Sequence, residues 1–367
     1  MIYLDHNATT PVDERVVEAM LPYLQRFYGN PSSLYRFGRI ARSAVDTARE
    51  QVAALIDASP NQITFTSGGT EANTQALAFA RGRAVWLSAI EHPSVSDNAS
   101  GNRAHYPQIG QIPVGRSGLV AEATIADLPL KPGDFVSLML ANNETGAIQP
   151  VRFLAAAAVE KAVIVHTDAV QALGKIPVSF RQLGVSLMSL SSHKIYGPKG
   201  CGALVRAMDT ELQPLLFGGD QEAGLRAGTE NVAAIVGFGK AAELTKLELQ
   251  HRMDLAKHLR LRLERQLSRI PGLTIFAEAV ERLPNTVQFG VQGVNGEMLL
   301  MRLDKQGIAV SSGSACAAGS DAVSPVLAAM GLSADLAKSA IRVSLGKDNS
   351  ENDVDNFVNA LKALLEK

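Results

Sequence analysis

Residues 63–80 read ITFTSGGTEANTQALAFA. An apolar run rich in β-branched residues passes through Gly68-Gly69 straight into a segment of helical periodicity that begins near Thr70. A strand that turns on glycine into a helix is half of a βαβ unit, and it aims the free N–H groups of the first helical turn at whatever lies above the strand end. Two readings stay open for this stretch. Either Gly69 and Thr70 cradle a phosphate, or Thr70 caps the helix and the glycines only turn the chain. Nucleotide fingerprints give no support, because neither G-x-x-x-x-G-K-[ST] nor a G-x-G-x-x-G after the strand occurs.

The same alternation extends outward, from about Val16 to Val236. VVEAMLPYLQRF and GRIARSAVDTAREQVAALI have helical spacing, while QITFTS, RAVWLSA, DFVSLML and KAVIVHTDA read as buried strands. The pattern predicts an α/β domain around a mostly parallel sheet. A charged helix over about Glu243 to Ser268 comes next, and then NTVQFGV, GEMLLMRLDKQG, IAVSSGSACA and SAIRVSLG suggest a smaller α+β domain. We assign residues 15–250 to the large domain and residues 1–14 with 251–367 to the small one. No internal repeat or low-complexity segment is evident.

The chain has 367 residues, 46% of them hydrophobic and 19% charged, enough for roughly two domains with a sizeable core. A formal charge of -1 points to neither a nucleic-acid binder nor a membrane-surface protein. Its two cysteines, Cys201 and Cys316, lack metal-ligand spacing and cannot build a disulfide framework, which favours a reducing compartment. MIYLDHNATT has no basic region leading into an apolar one, so the expectation is a cytoplasmic protein.

Four residue types stand out chemically. Asp168 ends the strand KAVIVHTDA, where a carboxylate can hold a protonated ring nitrogen or a metal, or simply cap the next turn of chain. His166 would share its strand face and act as its partner. Lys194 comes after a second apolar run in SLMSLSSHKIYGPKG; it is either a surface loop lysine or a desolvated amine fit for Schiff-base chemistry. Cys316 sits in SSGSACAAGS, among residues too small to bury it, so its thiol is set to be reached. Cys201, in a predicted buried strand, reads as packing. Phosphate cradle, strand-end acid and lysine together suit pyridoxal phosphate, whose ring acts as an electron sink when its nitrogen stays protonated.

YLDHNATTPVDERV, GNPSS, FTSGGTEANT, NNETGAIQP, TDAVQALGK, SSHKIYGPKG, RAGTENV, SSGSACA and IRVSLG stand in the order found in the NifS/IscS-like cysteine desulfurases. The chain resembles that family over nearly its whole length. The resemblance implies the fold type I architecture of pyridoxal-phosphate transferases, with a seven-stranded sheet flanked by helices, and a homodimer. It implies that Lys194 binds the cofactor aldehyde and moves the substrate α-proton, that Asp168 pairs with the ring nitrogen, and that Gln171 meets the ring hydroxyl. His92 would stack on the ring and assist proton transfer. Gly69, Thr70, Ser191 and His193 would hold the phosphate, with Thr229 reaching it from the neighbouring subunit. Asn143 would line the substrate site and Arg342 would fork onto the carboxylate of L-cysteine.

On the same resemblance, Cys316 is the nucleophile that takes up sulfur as a persulfide, releases alanine and delivers the sulfur to an acceptor such as an iron–sulfur scaffold protein. The span from Cys316 to Gly331 matches the long-loop members. Tyr35 replaces a histidine common in relatives, and the chain stops soon after VDNFVNALKALLEK, where housekeeping members carry a longer scaffold-docking segment. A selenocysteine lyase, another class V lyase or aminotransferase, and a cofactor-free interaction protein are the alternative readings.

Overall fold

The structure is a computed structural model that describes residues 1–313 and 323–366. In chain order the strands are β1 (Ile2–Tyr3), β2 (Ile63–Thr66), β3 (Val85–Ser88), β4 (Ile109–Ile112), β5 (Phe135–Ser137) and β6 (Ile164–Asp168). They continue with β7 (Leu187–Ser191), β8 (Gly202–Arg206), β9 (Leu273–Ile275), β10 (Thr286–Val291), β11 (Ile308–Ala309) and β12 (Ile341–Ser344). The first helices are α1 (Glu14–Gln25), α2 (Arg36–Leu55), α3 (Gly69–Phe79), α4 (Pro93–Gly101), α5 (Glu122–Ala126), α6 (Val151–Val159) and α7 (Phe180–Leu183). The later ones are α8 (Val232–Leu267), α9 (Gly296–Asp304), α10 (Pro325–Ala329), α11 (Ala334–Lys338) and α12 (Glu351–Leu365).

Seven strands form the main sheet in the order β2-β8-β7-β6-β5-β3-β4. From β7 to β4 every neighbour pair is parallel, so the carboxyl ends of β6 and β7 open on one side, with Asp168 opposite Ser189. β8 runs antiparallel to both β7 and β2. Apart from the edge strand β4, the strands are largely buried on both faces, as expected of a sheet sandwiched by helices: every residue of β2, β5 and β7 is buried. This is the mostly parallel, seven-stranded α/β architecture expected from the sequence.

A second core surrounds the antiparallel sheet β12-β10-β9, with Leu4, Leu263, Phe289, Val343 and Phe357 fully buried. β1 pairs in parallel with β11, so the first residues of the chain belong to this second body. α8 joins the two cores: Phe238 and Ala241 pack in the first, Leu259 and Leu263 in the second. The helix begins at Val232 rather than near Glu243, with Asn231 capping the Ala234 N–H. Its first turns, VAAIVGFGKAA, are apolar on nearly every face because they are buried, which hides helical periodicity.

The small core depends on interlocking aromatic rings, Phe289 and Phe357, with centroids 6.4 Å apart. Phe289→Ala is expected to cost about 3–5 kcal/mol, read as a lowered urea midpoint of unfolding.

Candidate active site

α3 starts at Gly69 with Gly68 as its N-cap, and no side chain caps it. The N–H groups of its first turn are therefore left for a ligand. Thr70 is exposed in that turn and does not cap the helix. A methyl group added at Gly69 would meet Val170 Cγ2 at 2.9 Å and Ser191 Cβ at 3.6 Å, so glycine keeps the space over the end of β7 open. Gly202 in β8 is needed for the same reason, since a Cβ there would sit 2.6 Å from the Gly68 carbonyl carbon.

Asp168, 5% exposed at the end of β6, accepts from the Val170 N–H at 2.9 Å and from Asn73 Nδ2 at 2.8 Å. Asn73 Nδ2 also donates to Ser94 Oγ at 2.8 Å, which lies 2.8 Å from His92 Nδ1. His92 is the N-cap of α4, and its Nδ1 accepts the Ser94 N–H at 3.1 Å. That bond places the ring proton on Nε2 and fixes the plane of the imidazole. Burial, with Lys194 adding to it, lowers the His92 pKa and favours the neutral ring, while Asp168 opposes the shift.

His166 does share the Asp168 strand face, but its partners are Ser137 Oγ at 2.9 Å and Ser189 Oγ at 3.0 Å rather than the aspartate. It is wholly buried and its pKa falls to about 4, so it is a neutral bridge beneath the sheet end. Glu91, next to His92, is equally buried and its pKa is raised to about 7 by desolvation, which the Ser88 hydroxyl and the Met139 N–H partly offset.

Lys194 lies in the turn after β7. Its Nζ donates to the carbonyl oxygens of Asn7 at 2.5 Å and Ala8 at 2.7 Å. Burial, helped by Arg342, lowers its pKa to about 8, while Asp168 and Asp5 hold it from falling further. The surface-lysine alternative therefore fails. His193, hydrogen-bonded through Nδ1 to Thr9 Oγ1, is pushed to about 4 by burial and by Lys194 and Lys199. Gln171 is buried, with Nε2 donating to the Asn7 carbonyl at 3.0 Å and Oε1 accepting from Lys175.

Arg342, 2% exposed on β12, donates through Nη1 to the carbonyls of Asn143 and Gly313, and through Nη2 to Asp5 Oδ1 at 2.7 Å. Its buried Nε has no partner among the described residues; it shares with Nη2 the edge that can take a carboxylate side-on, and Asp5 occupies the Nη2 half of that edge. Asn143 is thus joined to Arg342 by its backbone. Asp168 and His92 share one hydrogen-bonded path, and Gln171, Lys194, Asn143 and Arg342 share a second through Asn7; Asp168 is near enough to Lys194 to raise its pKa, with Gly69 and Ser191 packed close by.

Thr229 is exposed ahead of α8, on a segment pinned by Arg49 to Glu222 and Arg226 to Glu71. Tyr35 is 58% exposed at the N-cap of α2. Cys316 lies outside the described residues. Cys201 precedes β8 by one residue and is buried in the main core, where desolvation pushes its thiol pKa far up. Sequence reasoning missed Asn7, Asn73, Lys175 and Asp5. Asn73 could have been found as a polar residue on the buried face of α3, between Ala72 and Ala76.

Strand-end acid, buried amine and helix N-terminus over a mainly parallel sheet define an α/β enzyme with its site at the carboxyl edge. The aminotransferase class-V family model matches residues 2–357, and the chain belongs to that family. It is similar to the cysteine desulfurase IscS of Dictyoglomus turgidum, 41% identical over 373 residues that cover 100% of this chain and 95% of that protein. Among solved structures, a NifS-like protein from Rickettsia africae is 34% identical with a TM-score of 0.92, covering 100% of both chains. SspA in complex with cysteine is 29% identical with a TM-score of 0.82, covering 94% of this chain and 99% of that one.

In the ligand-free protein, reaction of Lys194 with an acylating reagent is expected to rise with pH through a midpoint of about 8, because only the neutral amine reacts. Peptide mass spectrometry across a pH series reads it; a midpoint near that of free lysine, about 10.4, overturns the desolvated site.

Proposed function

We propose that this chain is a pyridoxal-phosphate-dependent cysteine desulfurase, a sulfurtransferase that converts L-cysteine to L-alanine and carries the sulfur as a persulfide on Cys316. The observation that carries the reading is that Asp168 and Arg342 both lie close enough to the buried Lys194 to shift its pKa, while the Arg342 Nε has no partner among the described residues. The residues fit the cofactor. The uncapped start of α3 with Gly69 and Thr70, backed by Ser191 and His193, suits a phosphate. Asp168, held by Asn73 and the Val170 N–H, suits a protonated ring nitrogen. Gln171 Nε2 is a donor for the ring hydroxyl, and His92 offers a flat face fixed by its own cap.

Bound there, pyridoxal phosphate supplies an aldehyde and a ring that draws electron density from the substrate α-carbon. Lys194, buried and near neutrality, can take and return the α-proton at Nζ. Arg342 orients the substrate by its carboxylate through Nε and, where the substrate displaces Asp5, through Nη2, with Asn143 beside it. His92 presents its Nε2–H for proton transfer. The Cys316 thiolate attacks the substrate sulfur; the S–S bond forms, the carbon–sulfur bond breaks with its electron pair passing to carbon, and protonation releases alanine. Sulfur then passes to an acceptor protein such as an iron–sulfur scaffold.

The active form in this reading is a homodimer in which Thr229 completes the partner's phosphate site. Exposure of Thr229, and of Tyr28, Leu34 and Phe217, supports a surface of that kind. The large body is residues 15–250, and residues 1–14 with 251–367 form the body that bears Cys316. No helix among the described residues is long and apolar enough to cross a membrane. A free catalytic thiol suits the cytoplasm.

Brief exposure of the protein to L-cysteine, followed by peptide mass spectrometry and an alanine assay, tests the reading. One added sulfur on the Cys316 peptide with alanine is the expected result; alanine with no sulfur there points to a lyase. Cys316→Ala should lose the added sulfur and keep the visible cofactor absorbance. Arg342→Ala should lower kcat/KM for cysteine on the order of 10²–10³-fold, and much less for cysteamine, which lacks the carboxylate.

A further inference from the structure

A second lysine lies in the same region and has no part in the chemistry above. Lys175 is 9% exposed, one helical turn beyond Gln171, in the tight segment after β6. Among the described residues its Nζ meets only amide oxygens, Gln171 Oε1 at 2.5 Å and Asn7 Oδ1 at 2.7 Å. A small cavity of about 40 Å³ beside it is lined by His6, Lys194, Arg252 and Lys347, with no carboxylate in the lining. No carboxylate among the described residues pairs with this buried amine, which costs stability, so its retention needs a reason other than an ion pair.

The hydrogen bonds supply one. Resting on the desulfurase reading, we propose that Lys175 is a positioning residue: its amine fixes the Gln171 amide, and together with Asn285 the Asn7 amide, with their oxygens inward. The amine has at least two N–H groups to give in either charge state. With Oε1 held by Lys175, Gln171 must turn Nε2 the other way, where it donates to the Asn7 carbonyl that also receives Lys194. With Oδ1 held by Lys175 and also by Asn285 Nδ2 at 3.1 Å, Asn7 must turn Nδ2 toward Asn143 O at 3.1 Å and Thr286 Oγ1 at 2.9 Å. Lys175 thereby decides that Gln171 offers a donor, not an acceptor, to the ring oxygen of the cofactor. Burial first, and then Lys194 and Arg342, lower the Lys175 pKa well below the ordinary lysine value.

The test is the pH midpoint of the visible absorbance of the full chain saturated with pyridoxal phosphate, measured for Lys175→Met, Lys175→Arg, Gln171→Leu and the Lys175→Met/Gln171→Leu double variant. A ring oxygen that loses its N–H donor tolerates negative charge less well, so loss of the neighbouring proton moves to higher pH. Lys175→Met and Gln171→Leu should each raise the midpoint on the order of one pH unit. The double variant should match Gln171→Leu alone, and Lys175→Arg, which keeps only donors, should stay near wild type. An unmoved Lys175→Met midpoint, or shifts that add in the double variant, overturns the role. If Lys175→Met does not fold, the other single variants decide, and an unmoved Gln171→Leu or a raised Lys175→Arg overturns it. A wild-type chain that gains no visible band overturns the cofactor reading itself, an outcome distinct from failure of Lys175 alone.

Discussion

Asn7 is the joint on which the site depends. Its backbone N–H donates to Ser344 Oγ of β12, and its Nδ2 donates to Thr286 Oγ1 of β10, so it is anchored to the small sheet. Its carbonyl receives Lys194 and Gln171, and its side-chain oxygen receives Lys175, all from the main sheet's edge. One residue near the start of the chain thus accepts from donors of the main body and donates to acceptors of the small sheet, alongside the links made by α8 and by contacts such as Ala147 with Arg282 and Glu144 with Gln288. Buried amines and amides must find partners, and here each body supplies what the other lacks.

The charge balance has its origin in the same burial. Lys175, Lys194 and Arg342 are brought together with Asp5 and Asp168 as the nearby acids, and desolvation pushes both lysines toward neutrality. An environment that disfavours ammonium and leaves the Arg342 Nε without a partner among the described residues is matched to anionic ligands, a phosphate at the rim and a carboxylate within. The neutral histidines, His92, His166 and His193, add hydrogen bonds without adding charge. Around Asp168, the path through Asn73 and Ser94 to His92 holds the acid and the imidazole in fixed relation, as catalytic pre-organisation requires.

Much of the fold was legible because its signals are local. The apolar strands β2, β3, β5 and β6 announce themselves by composition and by the turns that bound them, and α1 and α2 by spacing. The first half of α8 was illegible because a helix buried on most faces loses its periodicity. Lys194, Asp168 and Gly69 were read from their positions at strand ends and a helix start. Lys175 and Asn7 gave no such sign, since their meaning lies in contacts across more than 160 positions of chain.

The sequence by itself determined the alternation of strand and helix, the candidate chemistry of Lys194, Asp168 and Cys316, and the family to which the chain belongs, because motifs and periods are written in neighbouring residues. Only the tertiary structure decided that His166 serves Ser137 and Ser189 instead of Asp168, that Asn73 links the acid to His92, and that Arg342 already holds Asp5. Hydrogen-bond partners are chosen by burial and direction in space, and neither is encoded in the spacing of residues along the chain.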